Sequence, residues 1–594
     1  MAGRRWICGV LWWIGQGSSA VWAAEFYQSR PVPGYVSPLP GSQLRVQSPV
    51  VEVGTLPDRE WRPDQLPPDR VPVLDDRIQG DSPDEISRIL RDTQTSGSLT
   101  APLINVVGLS TRSDPPDPVG DVGRNHYVQM LNATWYQVFS KQGQALTPPR
   151  RLGDLWSGLP DTPGNRACYQ NHGDPIVVYD HLANRWWMSQ FAQSGVWSKN
   201  ELKAPFYLCV ALSGSSNPVS GRWILYAFEM PQLPDYPKIG VWPDGYYMSS
   251  AFGNRLHATV FDRARMLTAS PTAYVQFSLS SLGAAGVRDT RMLPGDLDGR
   301  PPIPGTPNYF VRTVDDRQDP DYPVDRIDIY ALHADFLNGL FSFNKVNELT
   351  ASQGLVAFDI MNCNRNDSLP PNMRDCIPQP DTVGTLDALS NRPMMPLKFR
   401  RLANGRKFLL FNQTINVQDG LRLADGSVPG KEVAGIRWYQ LEQADTGFWQ
   451  IATQGTYTPQ AAVVNSETAF THRWMGSMAM DKAGNMALAY NLVNSDEREG
   501  RRMFPGIAYT GRHLADRSDR MTMPEQWIMR GTRIEWPKAG MPILGQRWGD
   551  YSSLNVDPVD NCTFWYTQHL ASGHQVYKKT RIASFRFEGC STGG

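Results

Sequence analysis

The chain has 594 residues, 58 Lys plus Arg balanced by 58 Asp plus Glu, with 51 Gly, 47 Pro, 19 Trp and 22 Tyr. A neutral chain without a basic block argues against nucleic acid or an anionic membrane surface as the main partner. The Gly and Pro content argues against long helices, and the aromatic residues supply a large core.

The first residues read as an export signal. Met1 to Arg5 is short and basic, Trp6 to Ile14 is apolar, and small residues run from Gly15 to Ala24. That three-part pattern predicts a cleaved leader over residues 1–24 and a secreted or periplasmic protein. Beyond it no stretch approaches the roughly 20 apolar residues of a transmembrane segment. Six cysteines follow the leader, and an even count in an exported chain predicts disulfides. Sequence neighbours give the simplest pairing, Cys168–Cys209, Cys363–Cys376 and Cys562–Cys590, with buried free thiols the alternative.

Residues 25–100 are rich in Pro, Ser, Arg and Asp and read as an extended or partly disordered lead segment. One short helix is expected within it, around Ser82 to Leu90. From residue 101 to 594 the chain repeats itself. Ser477-Met-Ala-Met-Asp481-Lys-Ala-Gly-Asn485 aligns without a gap on Ser553-Leu-Asn-Val-Asp557-Pro-Val-Asp-Asn561, each with Arg-Trp a few residues upstream. A third copy runs Ile176-Val-Val-Tyr-Asp180-His-Leu-Ala-Asn184, and shorter versions start at Val122, Ile239 and Leu397.

Each copy is a short apolar strand, a tight turn and a second, aromatic-rich strand, followed by further strands. About four strands per unit predicts an all-β fold, a β-propeller. Seven units begin near residues 119, 174, 237, 296, 396, 474 and 548. The fourth shows no first strand, so six blades is the alternative. The last unit shows three strands, and Leu103 to Leu109 is expected to supply the fourth and close the ring.

The Asp-x-x-x-Asn turns read as scaffold, because these side chains bond nearby backbone N–H groups. The starts of the innermost strands converge on one mouth of the central channel. The candidate ligand-binding residues there are Asp121, His172, Asp174, Asp235, His472, Arg473, Arg547 and Asp550. Gathered from several blades, they make a polar pocket for a glycan or small polar ligand, or they pair off to tie the ring together. No cofactor is expected. Structural calcium is a candidate at Asp296-Leu-Asp298-Gly299 and at Asp114, Asp117 and Asp121, although neither stretch supplies the six to eight oxygens calcium needs. Solvated acidic loops are the plainer reading there and over Asp315 to Asp328.

No Gly-x-Ser-x-Gly elbow, phosphate-binding Gly-Lys-Ser/Thr loop or His-Glu-x-x-His occurs. The leading functional reading is an extracytoplasmic ligand-binding or adhesive propeller recognising glycans. The alternative is a carbohydrate hydrolase or lyase acting at the channel mouth.

From residue 113 to 590 the sequence resembles secreted bacterial propeller proteins. The likeness rests on residues 120–129, 173–180, 473–481 and 547–557, the last reading Arg-Trp-Gly-Asp-Tyr-Ser-Ser-Leu-Asn-Val-Asp. It implies the fold and carries no chemistry. The turns also resemble the Asp-boxes of sialidases, although Asp481-Lys-Ala-Gly484 lacks the Asp-x-Gly spacing; that likeness too implies only fold.

Overall fold

A strand buried on both faces reads as a continuous apolar run, and the middle strands of this chain do so. Arg185–Gln193, Phe206–Ser213 and Met486–Asn494 are buried over almost their whole length. The computed structural model describes residues 25–36 and 98–590, apart from 196–201, 283–289, 362–374, 424–425, 428, 430, 459–462, 465–469, 496–501, 517–518, 536–545 and 573–576. The leader, the short helix expected near Ser82 and Cys363 lie outside the described residues.

The described strands form a β-propeller. Its antiparallel units have innermost strands Val119–Val122, Gly173–Asp180, Asp235–Val241, Leu293–Gly299, Met394–Arg401, His472–Met480 and Ser553–Val556. We number the blades 1 to 7 in that order. Each innermost strand lies against the next, and the seventh lies against the first, so the strands encircle one central axis. Blade 7 takes its outer strand from Ile104–Thr111, which pairs antiparallel with Lys578–Phe585, so the N-terminal strand closes the ring. Two further pieces of the lead segment add fifth strands: Glu25–Gln28 on blade 3 and Tyr35–Val36 on blade 2.

The fourth blade does have a first strand, Leu293–Gly299. Its sequence, Leu-Pro-Gly-Asp-Leu-Asp-Gly, hides it, because Pro, Gly and Asp are poor strand formers. It holds its place by pairing in parallel with Met394–Arg401 of blade 5, Gly295 opposite Leu397 through Gly299 opposite Arg401. Blade 3 presses equally close. A Cβ on Gly240 would lie 2.2 Å from the Gly295 carbonyl oxygen, so only glycine fits there.

The aromatic residues fill the wedges between blades. Ring pairs span the junctions of blades 7 and 1 (Tyr127–Trp565), 2 and 3 (Trp187–Tyr246) and 3 and 4 (Tyr247–Phe310). Others span 4 and 5 (Tyr309–Trp449), 5 and 6 (Tyr457–Tyr490) and 6 and 7 (Tyr509–Phe585). Each adds about 0.5–1.5 kcal/mol beyond the area it buries.

Disulfides join Cys168 to Cys209 and Cys562 to Cys590. Cys376 is also disulfide-bonded, to a partner outside the described residues. No helix among the described residues is long and apolar enough to cross a membrane.

Candidate functional site

The mouth where the innermost strands begin is built by an unusual backbone. Asp117, Asp174, Tyr236, Met475 and Asp550 lie just before or within the first four residues of the innermost strands of blades 1, 2, 3, 6 and 7, and all have φ between 46° and 71°. Non-glycine residues rarely occupy this left-handed region, which costs of order 1 kcal/mol each. The pairing of innermost and second strands slips at the same level in blades 2, 3, 5 and 6. Such bulges re-aim side chains at a rim. Here they turn residues of several blades toward one another.

Asp174 stands at the centre. Its Oδ2 accepts hydrogen bonds from the Tyr551 hydroxyl at 2.6 Å and the Tyr236 backbone N–H at 3.2 Å, which ties blade 2 to blades 7 and 3. The two tyrosine rings meet edge to face, 5.5 Å apart. The Lys238 ammonium sits 3.4 Å from both ring centroids and donates to the Pro237 carbonyl. The Arg392 guanidinium, from the loop entering blade 5, lies 4.7 Å from the Tyr236 centroid. Asp117 of blade 1 completes the group. Its N–H donates to the Gly549 carbonyl, while its buried carboxylate oxygens accept no hydrogen bond from any described residue.

Burial dominates the electrostatics. It holds Asp117 well above the usual carboxylate range, and the neighbouring Asp174 adds to the effect. It raises Asp174 to about 6, with Asp235 pushing the same way and the Tyr551 hydrogen bond opposing. It drives Lys238 well below an ordinary lysine against the pull of Asp174 and Asp117. The mouth thus gathers acids inclined to keep a proton around an amine inclined to lose one.

The eight candidates divide. Asp174, Asp235, Arg547 and Asp550 belong to the mouth. Asp235 is exposed, and its Oδ1 accepts from the Tyr236 N–H. Arg547 is ion-paired with Asp550 and lies 3.6 Å from Asp387. The other four are drawn elsewhere. Arg473 is gripped by Glu525 through two hydrogen bonds, at 2.8 and 3.3 Å, and Tyr490 donates to the same carboxylate. The Nδ1 of His472 accepts from the Ala434 N–H, and that of His172 accepts from the Gln193 N–H. Burial pushes these imidazoles down to about 3 and about 4, so both are neutral structural acceptors. Asp121 lies deeper in the channel, its carboxylate accepting from the Val122 and Tyr179 N–H groups.

Asp121 belongs to a seam that stitches the blades. Asp296 accepts from the Val241 N–H, Ser477 from Leu554 and Ser553 from Gly120, each across a blade junction.

Neither acidic stretch proposed for calcium is a calcium loop. Asp296 and Asp298 are buried on an innermost strand, and Lys398 is already ion-paired to them at 2.7 and 3.2 Å. Asp114 is paired with Lys578, while Asp117 and Asp121 face different neighbours. Nor is Asp315 to Asp328 a solvated loop throughout. Asp315 and Asp328 are fully buried and paired with Arg317 and Arg312. The carboxylates of Asp315, Asp316 and Asp325 come within 4.8 Å of one another, but Arg317 takes both oxygens of Asp315.

Arg392 was not foreseen; Asp117 was read only as a member of an acidic loop, and Tyr236, Lys238 and Tyr551 stood in the strand-head strings without being singled out. A signal existed: Asp117-Pro118, Asp174-Pro175 and Tyr236-Pro237 occupy the same place in successive blades.

No family model matches the chain, and no curated protein matches it. Among solved structures, it is similar to an α-L-arabinanase of Penicillium chrysogenum complexed with arabinobiose, at 10% identity over 82% of this chain and 99% of that one, TM-score 0.29. The polysaccharide lyase Uly1 shares 8% identity over 80% and 90%, TM-score 0.31. The WD40 domain of SCAP from fission yeast shares 7% over 82% and 98%, TM-score 0.29. Likeness at this level carries no argument about activity.

Proposed function

We propose that the protein is an exported β-propeller that binds the polar end of a glycan at the strand-start mouth of its channel. The observation that carries this reading is Asp117: 1% exposed, left-handed in backbone, with neither carboxylate oxygen accepting a hydrogen bond from a described residue. A desolvated carboxylate without donors is destabilising, by about 1–3 kcal/mol or more. Left-handed strain at the same residue adds to that cost, and the two together mark a position kept for function. Sugar hydroxyls are donors of the missing kind. The leader pattern and the disulfides support export.

The test is an array of neutral and acidic oligosaccharides probed with the mature protein and with Asp117→Asn. The reading expects a glycan bound by the parent and weakened at least tenfold in a variant that melts no lower. Undiminished binding by the variant rejects the site.

The unequal surroundings of Asp117 and Asp174 favour a second reading, a carbohydrate hydrolase or lyase. Among the described residues Asp174 receives two donors and Asp117 none, an asymmetry suited to one acid and one base. Under that reading Asp174→Asn abolishes turnover of the bound glycan and leaves its binding intact.

A further inference from the structure

The mouth holds both an acceptor and a donor group without a hydrogen-bond partner among the described residues, the Asp117 carboxyl and the Arg392 guanidinium. Arg392 is 2% exposed, and its Nε donates to the Asn391 side chain at 2.8 Å. Its terminal nitrogens make no hydrogen bond or ion pair to a described residue, and Nη2 is wholly buried. Arg547 in the same mouth is ion-paired with Asp550, so the cluster has matched one guanidinium with a carboxylate and left the other unmatched. Among the described residues Lys238 has a single hydrogen bond, to a backbone carbonyl, and its ammonium lies against two ring faces. Arg392 and Lys238 both lie against the Tyr236 ring and influence one another electrostatically. A buried guanidinium is costly unless an anion meets it, and its planar fork suits a carboxylate.

We infer that the ligand of this mouth carries a carboxylate, as the uronic residue of an acidic glycan does, and that the Arg392 guanidinium receives it, with the Lys238 amine donating a hydrogen bond beside it, while Asp117 takes an adjacent hydroxyl. The inference rests on the reading of the mouth as a glycan site and narrows it to one charge class. An amino acid would also offer a carboxylate, but its ammonium would need an ionised partner. Asp117, buried beside Asp174, resists ionisation and is suited to a neutral hydroxyl. Asp174 is committed to Tyr551 and Tyr236, which leaves Asp117 for the sugar.

The experiment compares binding of uronate-bearing oligosaccharides with that of the same oligosaccharides after reduction of each carboxylate to an alcohol. The mature protein is expected to bind the acidic forms at least tenfold tighter, with affinity falling as salt is raised. Arg392→Gln should erase that preference by weakening the acidic forms at least tenfold more than the reduced ones, and Arg392→Lys should restore part of it. Equal affinity for acidic and reduced forms overturns the inference and leaves the glycan site standing. Binding of neither form overturns both. The parent comparison needs no variant, so it decides the matter even where Arg392→Gln fails to fold.

Discussion

Asp174 and Asp550 look alike in the sequence, each in a Gly-Asp pair at the head of an innermost strand, yet they do different work. Asp550 neutralises Arg547, whereas Asp174 holds two tyrosines and has no arginine at ion-pair range among the described residues. Asp550→Asn should cost about 1–2 kcal/mol, less than for a fully buried pair, because Arg547 keeps some solvent and has Asp387 within reach. Asp174→Asn should stay within about 1 kcal/mol of the parent, since an amide oxygen still accepts from Tyr551 and Tyr236. Glu525→Gln should cost about 3–5 kcal/mol, because Arg473 is buried with that one carboxylate. Denaturant melts of the three variants check the order.

The pH dependence follows from the same residues. Asp174 is raised to about 6 and Asp121 to about 7, so the folded state keeps protons that the unfolded chain releases near 4. Stability therefore falls as pH rises from about 4 through about 7 on their account. Glu535 acts oppositely. Lys578 holds it down to about 2, so it stabilises above the unfolded value and the benefit is lost as pH falls from about 4.5 toward 2. Melting temperature measured against pH should peak in the mildly acidic range and decline toward neutrality; a flat profile from pH 4.5 to 7.5 would speak against the buried acids.

At the scale of elements, strands with an apolar signature were legible and those made by context were not. Met394–Arg401 and Lys407–Asn416 follow from apolar runs around Asn404-Gly405, whose Gly405 has φ 89° in the turn. Leu293–Gly299 exists because Lys398 and a parallel neighbour hold it, and no local pattern encodes that. The closing strand was legible because an apolar strand stood without a partner before the first unit. A chain beginning at residue 98 should fold, melting somewhat lower for want of the two added edge strands, while one beginning at residue 112 should fail or melt far lower. Circular-dichroism melts distinguish them, and equal melting temperatures would refute closure. The Cys562–Cys590 loop, 28 residues apart in sequence, should contribute about 3–4 kcal/mol. Peptide mapping without reduction should recover that pair and Cys168–Cys209, and reduction should lower the melting point.

At the scale of the whole molecule, the ring decides which polar residues meet. Asp174 and Asp235 stand at strand heads, and Arg547 and Asp550 precede one, but successive side chains of a strand alternate in direction, and a left-handed residue or bulge changes the phase. That is why Arg473 turns to Glu525 while Lys238, just past such a residue, lies between two rings. Asp117 was read only as part of an acidic loop, because its neighbours are supplied by blades 2, 3 and 7, distant in sequence.

In the proposed site Asp117 is held for a ligand and not for the fold. The direct measurement is the stability of Asp117→Asn relative to the parent at pH 4 and pH 7.5. Its carboxyl is raised by burial, so the folded parent is penalised increasingly as pH rises above the ordinary carboxylate range, and an amide escapes that penalty. The variant should match the parent at pH 4 and exceed it at pH 7.5, by about 1 kcal/mol or more. A loss of several kcal/mol at both pH values would show Asp117 to be a structural partner in the ring and would contradict the site.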